Sequence, residues 1–403
     1  MPEKNLYFFT NSYPYKGESF VGNEITALAP FYKKVFLFPT FKANSSKVDL
    51  PENVEIVHFE HHEGKAKLLL ANFFLVGKVF FLDFIKNSDK KDFFKNFRYN
   101  LSLFLKVLGR NSKLQEIIQS DKTEKNYVSF WMDEWALSLS LLRHKKKIEK
   151  YVFRVHQHDL YHVDHPEAYI PFRFFNMKMT SAIFPDSKRG VKFLKDFNYY
   201  PEKVQLGHLG VIDKGTNPFS NKEFVIVSCS ALVSRKRVDL IADVLMKVNI
   251  PVKWIHFGSK GDNENAFFEL RKKCELLPEN VKVDLKGEVS YNELIGFYKE
   301  NPVSMFITLS KAEGLPVSVI EAVSFGIPVL ATDIMGLPDV VTEESGIVIS
   351  PDLEKEKIAK LISEFSNGPK NTTEFRERVK SFWKRNFNSD INYPAFDSYI
   401  NKI

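Results

Sequence analysis

Cysteine is scarce in this 403-residue sequence. Cys229 and Cys274 are the only two, too few for a framework of bridges and in keeping with a reducing compartment. Long apolar runs are missing as well. The nearest, residues 68–85, is interrupted by Lys78 and Asp83, whereas a spanning helix wants about 20 largely uncharged residues. The opening residues Met1-Pro-Glu-Lys-Asn show neither the apolar core nor the small-residue cleavage site of a secretory leader, so the expected location is the cytoplasm. There is no repeat of solenoid period and no low-complexity tract. Gly-x-Gly-x-x-Gly after a strand, Gly-x4-Gly-Lys-Ser/Thr and Gly-x-Ser-x-Gly are all absent, which leaves dehydrogenase, P-loop ATPase and α/β-hydrolase readings without an anchor.

What is present is an ordinary globular composition, 44% hydrophobic and 27% charged, which excludes disorder and fibres. The formal net charge of +7 directs attention to an anionic partner, although no nucleic-acid-binding motif accompanies it. Short apolar, β-rich runs alternate with helical patterns. Strands are expected at 5–10, 35–39, 54–59, 151–155 and 181–184, with helices at 20–28, 65–85 and 134–144. The second half repeats the rhythm, with strands at 224–228, 252–257, 281–285, 303–309 and 328–332. Between them lie helices at 238–248, 263–277, 291–299 and 316–325. Continuous apolar strands separated by helices indicate parallel sheets covered on both faces. Gly, Pro, Asn and Ser cluster at 212–221, which marks a boundary. The reading is an α/β protein of two doubly wound, Rossmann-like domains facing across a cleft, 1–211 and 212–381, with a C-terminal helix at 382–403 crossing back to the first. Ligands in such sheets sit beyond the carboxyl ends of the strands.

Residues 65–113 depart from this rhythm. They hold eleven Lys or Arg against three Asp, together with ten Phe or Tyr, so this segment carries +8 and the rest of the chain is close to −1. A basic helix with an aromatic face suits the interface of an anionic membrane; core-facing Phe beneath solvated Lys is the competing reading.

Residues 303–341 carry the chemistry. A strand ends near Leu309, a turn Ser310-Lys-Ala-Glu-Gly follows, and a helix opens at Pro316, where the missing proline N–H costs nothing. The free amides along Gly314-Leu315-Pro316-Val317 and the helix dipole then form an anion site. Glu313 stands just before that site and Glu321 lies inside the helix. Two carboxylates flanking a diphosphate site suit charge-assisted hydrogen bonds to the hydroxyls of a sugar and a ribose.

Glu313-(x7)-Glu321, followed by Ser324-Phe-Gly-Ile-Pro-Val and Gly336-Leu-Pro-Asp-Val-Val, resembles the nucleotide-sugar site of retaining GT-B glycosyltransferases, glycosyltransferase family 4 (group 1). The resemblance implies that Glu313 contacts the donor sugar and Glu321 the ribose. Cys229-Ser-Ala-Leu-Val-Ser-Arg-Lys-Arg-Val-Asp239 is similar to the turn whose arginine and lysine grip the donor diphosphate. Lys236 matches the lysine, but Ala231 occupies the usual arginine position, leaving open whether Arg235 substitutes. His256-Phe-Gly258 and Gly287-Glu-Val289 sit where the family reads the base, so His256, Gly258 and Val289 join the candidates. Gly17 and Glu18, in the loop after the first strand, match the glycine loop bordering the diphosphate and acceptor.

His156, in Arg154-Val-His156-Gln-His158-Asp159, matches the histidine placed by the donor's reactive carbon, with His158 second. His156, His158, His162 and His165 with Asp159 and Asp164 also present metal-ligating side chains, but their spacing does not match His-x-His-x-Asp-His and GT-B enzymes need no metal.

The resemblance implies a retaining transfer from a nucleoside-diphosphate sugar, UDP by default, without cofactor. The expected acceptor is a hydroxyl of a glycan or lipid-linked glycan; the basic, Phe-rich segment 65–113 suggests one at the inner face of the cytoplasmic membrane, which would suit bacterial surface polysaccharide synthesis. A non-hydrolysing nucleotide-sugar epimerase and a catalytically silent nucleotide-sugar binder are the alternatives.

Overall fold

The computed structural model describes residues 2–15, 18–41, 48–59, 65–86, 90–162, 165, 169–261 and 264–403. It divides into two compact units. The first comprises Met1–His208 with Tyr393–Ile403, the second Leu209–Asn392.

The first unit holds a six-stranded sheet made of β1 (Asn5–Thr10), β2 (Lys34–Pro39), β3 (Val54–Ile56), β4 (Lys125–Ser129), β5 (Val152–Val155) and β6 (Ala182–Pro185). Its order is β3-β2-β1-β4-β5-β6 and every pairing is parallel. All six residues of β1, Asn5-Leu-Tyr-Phe-Phe-Thr10, are buried, as expected of a strand covered on both faces. One core layer joins Tyr7, Phe9, Phe38, Trp135 and Phe153. A second lies beneath the basic, aromatic segment, where Val79, Phe80 and Phe104 pack with Leu137 and Phe172.

The second unit repeats the plan with β7 (Val225–Cys229), β8 (Val252–Phe257), β9 (Val281–Gly287), β10 (Met305–Thr308), β11 (Val329–Thr332) and β12 (Gly346–Ile349). Its order is β12-β11-β10-β7-β8-β9, again wholly parallel. In both sheets the first strand lies in the middle, where the chain changes direction of winding: between β1 and β4, and between β7 and β10. Such switch points splay the loops at the carboxyl ends and open a crevice there.

The structure corrects three local expectations. The helix expected at 65–85 is two, Lys65–Ala71 and Phe73–Lys86. Asn72 separates them, its side-chain amide donating back to the Leu68 carbonyl at 3.0 Å, the local competition that makes Asn a helix interrupter. Pro316 is the residue before the helix Val317–Ser324 rather than its first member. The terminal segment from 382 is not one helix, because Thr373–Asn386 ends and Ser389–Lys402 begins anew.

Candidate functional site

The carboxyl ends of β7 and β10 meet at the switch point of the second sheet. After β7 the chain makes a short turn, Ser234–Lys236, and Arg237 follows in the left-handed region at φ 47°. Arg237 pins this turn to the β10 end. Its Nε donates to the Leu309 carbonyl at 2.6 Å, and its terminal nitrogens donate to the carbonyls of Pro351 (3.0 Å) and Ser310 (3.3 Å). The Lys311 amide donates to the Arg235 carbonyl at 2.7 Å. Two loops distant in sequence are thereby locked into one corner. Arg237 was not singled out from the sequence; the Arg-Lys-Arg run was its signal.

Within that corner Glu313 is buried. Its Oε1 pairs with Lys236 Nζ and accepts from Ser310 Oγ at 2.7 Å, while Arg235 lies 3.6 Å from Oε2. Arg235 also reaches the Ala312 carbonyl at 3.4 Å. Two cations thus face one carboxylate, leaving net positive charge on a half-enclosed surface, an arrangement that attracts phosphate. Just beyond, the amides of Gly314, Leu315, Val317 and Ser318 have no acceptor among the described residues, and they open the helix Val317–Ser324. Helix N-termini with unspent donors bind anions. The side chains of Leu315 and Pro316 are buried, so these residues offer backbone only. The second sequence motif acts here too: the Gly336 amide donates to the Gly314 carbonyl at 3.1 Å. A Cβ on Gly336 would come within 2.5 Å of that carbonyl oxygen, so only glycine lets the loops meet.

Glu321, one turn further into the helix, is buried, and no hydrogen bond joins its carboxyl to the rest of the described protein. Burial raises its pKa to about 8, so near neutral pH it is largely protonated. It lies close enough to Tyr291 and Cys229 to raise both, and the Tyr291 hydroxyl is itself buried without a partner. Buried polar groups are nearly always hydrogen-bonded, and neither the Glu321 carboxyl nor the Tyr291 hydroxyl has a partner among the described residues.

The adjoining loops are fixed by backbone contacts. The Gly258 amide donates to the Gly287 carbonyl at 2.8 Å. Gly258 adopts φ 153°, and a Cβ there would fall 1.8 Å from the Ser230 carbonyl oxygen, so the β7 and β8 loops touch only because that side chain is absent. Val289 is half-buried, immediately before the Ser290 cap of the helix Tyr291–Glu300. His256 differs from a loop residue: its ring is buried at the end of β8 and its Nδ1 meets Ser228 Oγ at 2.9 Å. Burial lowers its pKa to about 4, so it is a neutral interior ring.

In the first unit, His156 follows β5 and is buried. Its Nδ1 lies 3.0 Å from Asp186 Oδ2 and its ring stacks on Phe130 at 4.7 Å. Its Nε2 has no hydrogen-bond partner among the described residues. Asp186, which the sequence alone did not single out, fixes ring orientation as a carboxylate behind a functional histidine does. The Glu18 side chain accepts from the Tyr13 amide at 2.8 Å, and burial raises its pKa; it closes its own loop. Gly17 lies outside the described residues, as does Asp164. His158 is exposed, and His162 Nδ1 accepts from the Ile170 amide at 3.2 Å. Among the described residues no three His, Cys, Asp or Glu side chains gather as metal ligands would.

Comparison with known proteins agrees with the fold. The fold is that of GT-B proteins. The Anabaena protein Alr3699/HepE, solved in complex with UDP, matches with a TM-score of 0.68 at 14% identity over 99% of this chain and 100% of that one. A glycosyltransferase from Rickettsia africae matches with a TM-score of 0.71 at 13% identity, over 100% and 98%. Residues 212–382 match the family model described as glycosyl transferases group 1. Curated relatives include the GtfA component of the UDP-N-acetylglucosamine–peptide N-acetylglucosaminyltransferase of Streptococcus gordonii, 24% identical over 146 residues, 35% of this chain and 27% of that protein. The O-antigen biosynthesis glycosyltransferase WbnH of Escherichia coli is 25% identical over 147 residues, 36% and 39% respectively. The chain spans about a third of the length of these curated relatives.

Proposed function

We propose that the protein is a retaining glycosyltransferase of family 4 that moves a sugar from a nucleoside diphosphate, UDP by default, to a hydroxyl of a glycan or lipid-linked acceptor. Assembly of a bacterial surface polysaccharide from the cytoplasmic side is the setting that suits it. The observation that carries the reading is the corner at β7 and β10, where Lys236, Arg235 and unspent amides adjoin one paired and one unpaired buried carboxylate.

In this reading the diphosphate lies against Lys236, Arg235 and the amides of Gly314–Ser318. Arg235 takes the place that Ala231 cannot fill. When a phosphate competes for Lys236, Glu313 is released to accept hydrogen bonds from sugar hydroxyls. Glu321 and the Tyr291 hydroxyl receive the ribose. His156, held by Asp186, serves the reacting sugar carbon through Nε2. The bond from the anomeric carbon to the phosphate oxygen breaks as the acceptor oxygen bonds to the same face, and the acceptor proton passes to the leaving phosphate. Preorganised donors at that oxygen stabilise the charge as it develops.

A thermal-shift panel of UDP-, GDP- and ADP-sugars tests donor binding, since a ligand at 100 times its dissociation constant adds about 2.7 kcal/mol. One base class should stabilise the protein, and no response to any would end the reading. In the same assay Glu313→Ala should still fold, while product analysis shows transfer reduced about 100-fold or more. Full activity in that variant would remove Glu313 from the site.

A further inference from the structure

The helix Phe73–Lys86 carries large apolar side chains on both its inner and its outer face. Its inner face, Val76, Val79 and Phe80, is buried in the second core layer. Its outer face is apolar too: Phe74 is 89% exposed, Phe81 65% and Ile85 51%. With Lys78 these residues follow helical spacing along one stripe. Contiguous exposed apolar rings mark an interaction surface. The stripe is extended by Leu70 at 80% and Phe94 at 65% exposure, and the rings of Phe84 and Phe94, 5.7 Å apart, join this helix to the short helix Lys90–Lys95.

The charges on this face have one sign. Lys67, Lys78, Lys86, Lys91, Lys95 and Arg98 are exposed. The acids among the described residues are not: Asp83 is buried and accepts from the Tyr169 hydroxyl, and Asp92 is only half-exposed. The Asp83 that breaks the apolar run in the sequence therefore points inward, leaving the outer face of Phe73–Lys86 without a carboxylate. A second copy of this face would set cations against cations, so self-association does not suit it. Anionic lipid does: headgroups meet the Lys and Arg, and the acyl boundary receives the Phe and Leu.

We propose that the outer face of residues 67–86 and 91–98, centred on Phe74, Phe81 and Phe94 with a fringe of six cations, docks the protein on an anionic membrane surface without spanning it. No helix among the described residues is long and apolar enough to cross a membrane. The proposal names a partner for the first unit and stands apart from the donor reading.

The test is co-sedimentation of the full chain with vesicles of phosphatidylcholine alone and with roughly one-quarter phosphatidylglycerol, at low and high salt. Binding should require the anionic lipid and weaken with salt. F74S/F81S/F94S should lower it about tenfold or more, and K78E/K86E/K95E should erase the preference for anionic vesicles. Both variants should keep the parent's melting temperature and its UDP-sugar shift, so a failure on vesicles leaves the donor reading untouched. If the triple Phe variant does not fold, Phe74→Ser alone serves. Equal and negligible sedimentation with both vesicles overturns the proposal, as does undiminished binding by the variants. A concentration-dependent dimer that F74S/F81S/F94S dissolves, without vesicle binding, would assign the face to a second copy instead.

Discussion

Two regions bury glutamates and treat them in opposite ways. In the first unit Glu24 is fully enclosed, and Arg154 answers it: Nε donates to Oε1 at 2.8 Å while NH1 reaches the Gly207 carbonyl at 2.8 Å. The guanidinium also lies 4.3 Å from the Phe396 ring, tying the last helix to this core. Burial still holds Glu24 above its ordinary pKa, but the charge has a permanent partner. In the second unit Glu321 has none, and Glu313 is held by Lys236, a side chain that a phosphate would also attract. The first carboxylate has a buried cation of its own, with only its Oε2 left without a hydrogen bond among the described residues, whereas Glu321 faces no cation. That difference, more than burial itself, separates a structural carboxylate from one reserved for a substrate.

The sharpest way to break the comparison is Arg154→Met. It strands Glu24 inside the first core, and removing one partner of a buried pair costs about 3–5 kcal/mol. The melting temperature should fall steeply. Replacing both partners with apolar residues should recover much of the loss, which no substitution at the corner of the second unit would do.

Glu321→Gln should act in the reverse sense on stability. The folded pKa of about 8 lies above the ordinary value of 4.5, so the native state keeps a proton that the unfolded chain releases. The stability tied to that proton is complete below about pH 4.5, declines as pH rises toward 8, and is flat beyond. Gln has no such loss, so the variant's stability should gain on the parent's from pH 5 to pH 8, by an amount on the order of 4 kcal/mol at the upper end. Donor affinity moves the other way. Ribose hydroxyls donate to the ionised form, so UDP binding by the parent should strengthen from pH 6 to pH 8, and the variant should bind weakly without that slope. Equal slopes would show that Glu321 is another Glu24.

Much of this was legible in the sequence because the apolar strands are nearly continuous: β1 and β8 occupy the expected residues, and the loops bearing Glu313 and Lys236 meet at one switch point. What escaped depends on distant partners. β4, at the centre of the first sheet, begins Lys125-Asn126 and carries no apolar run. Asn126 is tolerable there because its side chain donates to the Tyr32 hydroxyl at 3.0 Å and to Asn401 at 2.9 Å, residues far away in the chain. β12 is only four residues long. Asp186 behind His156 and Ser310 beneath Glu313 were equally hidden, since polar residues in loops acquire roles only when the fold brings their partners near. His256 shows the converse: its position at a strand end was legible, but not that its ring turns inward to Ser228.

The finest division lies inside the corner, between its two cations. Lys236 is the more enclosed, at 15% side-chain exposure against 43% for Arg235, and it makes the closer contact with Glu313. An exposed cation is screened by solvent and contributes less. Arg235→Ala should therefore weaken UDP binding about tenfold, or ~1.4 kcal/mol, with melting temperature unchanged, while Lys236→Ala should reduce binding further and leave Glu313 buried with a weaker partner. Titration calorimetry with UDP orders the two. If Arg235→Ala binds as the parent does, Lys236 and the helix amides suffice, and the arginine missing at position 231 has no substitute in this chain.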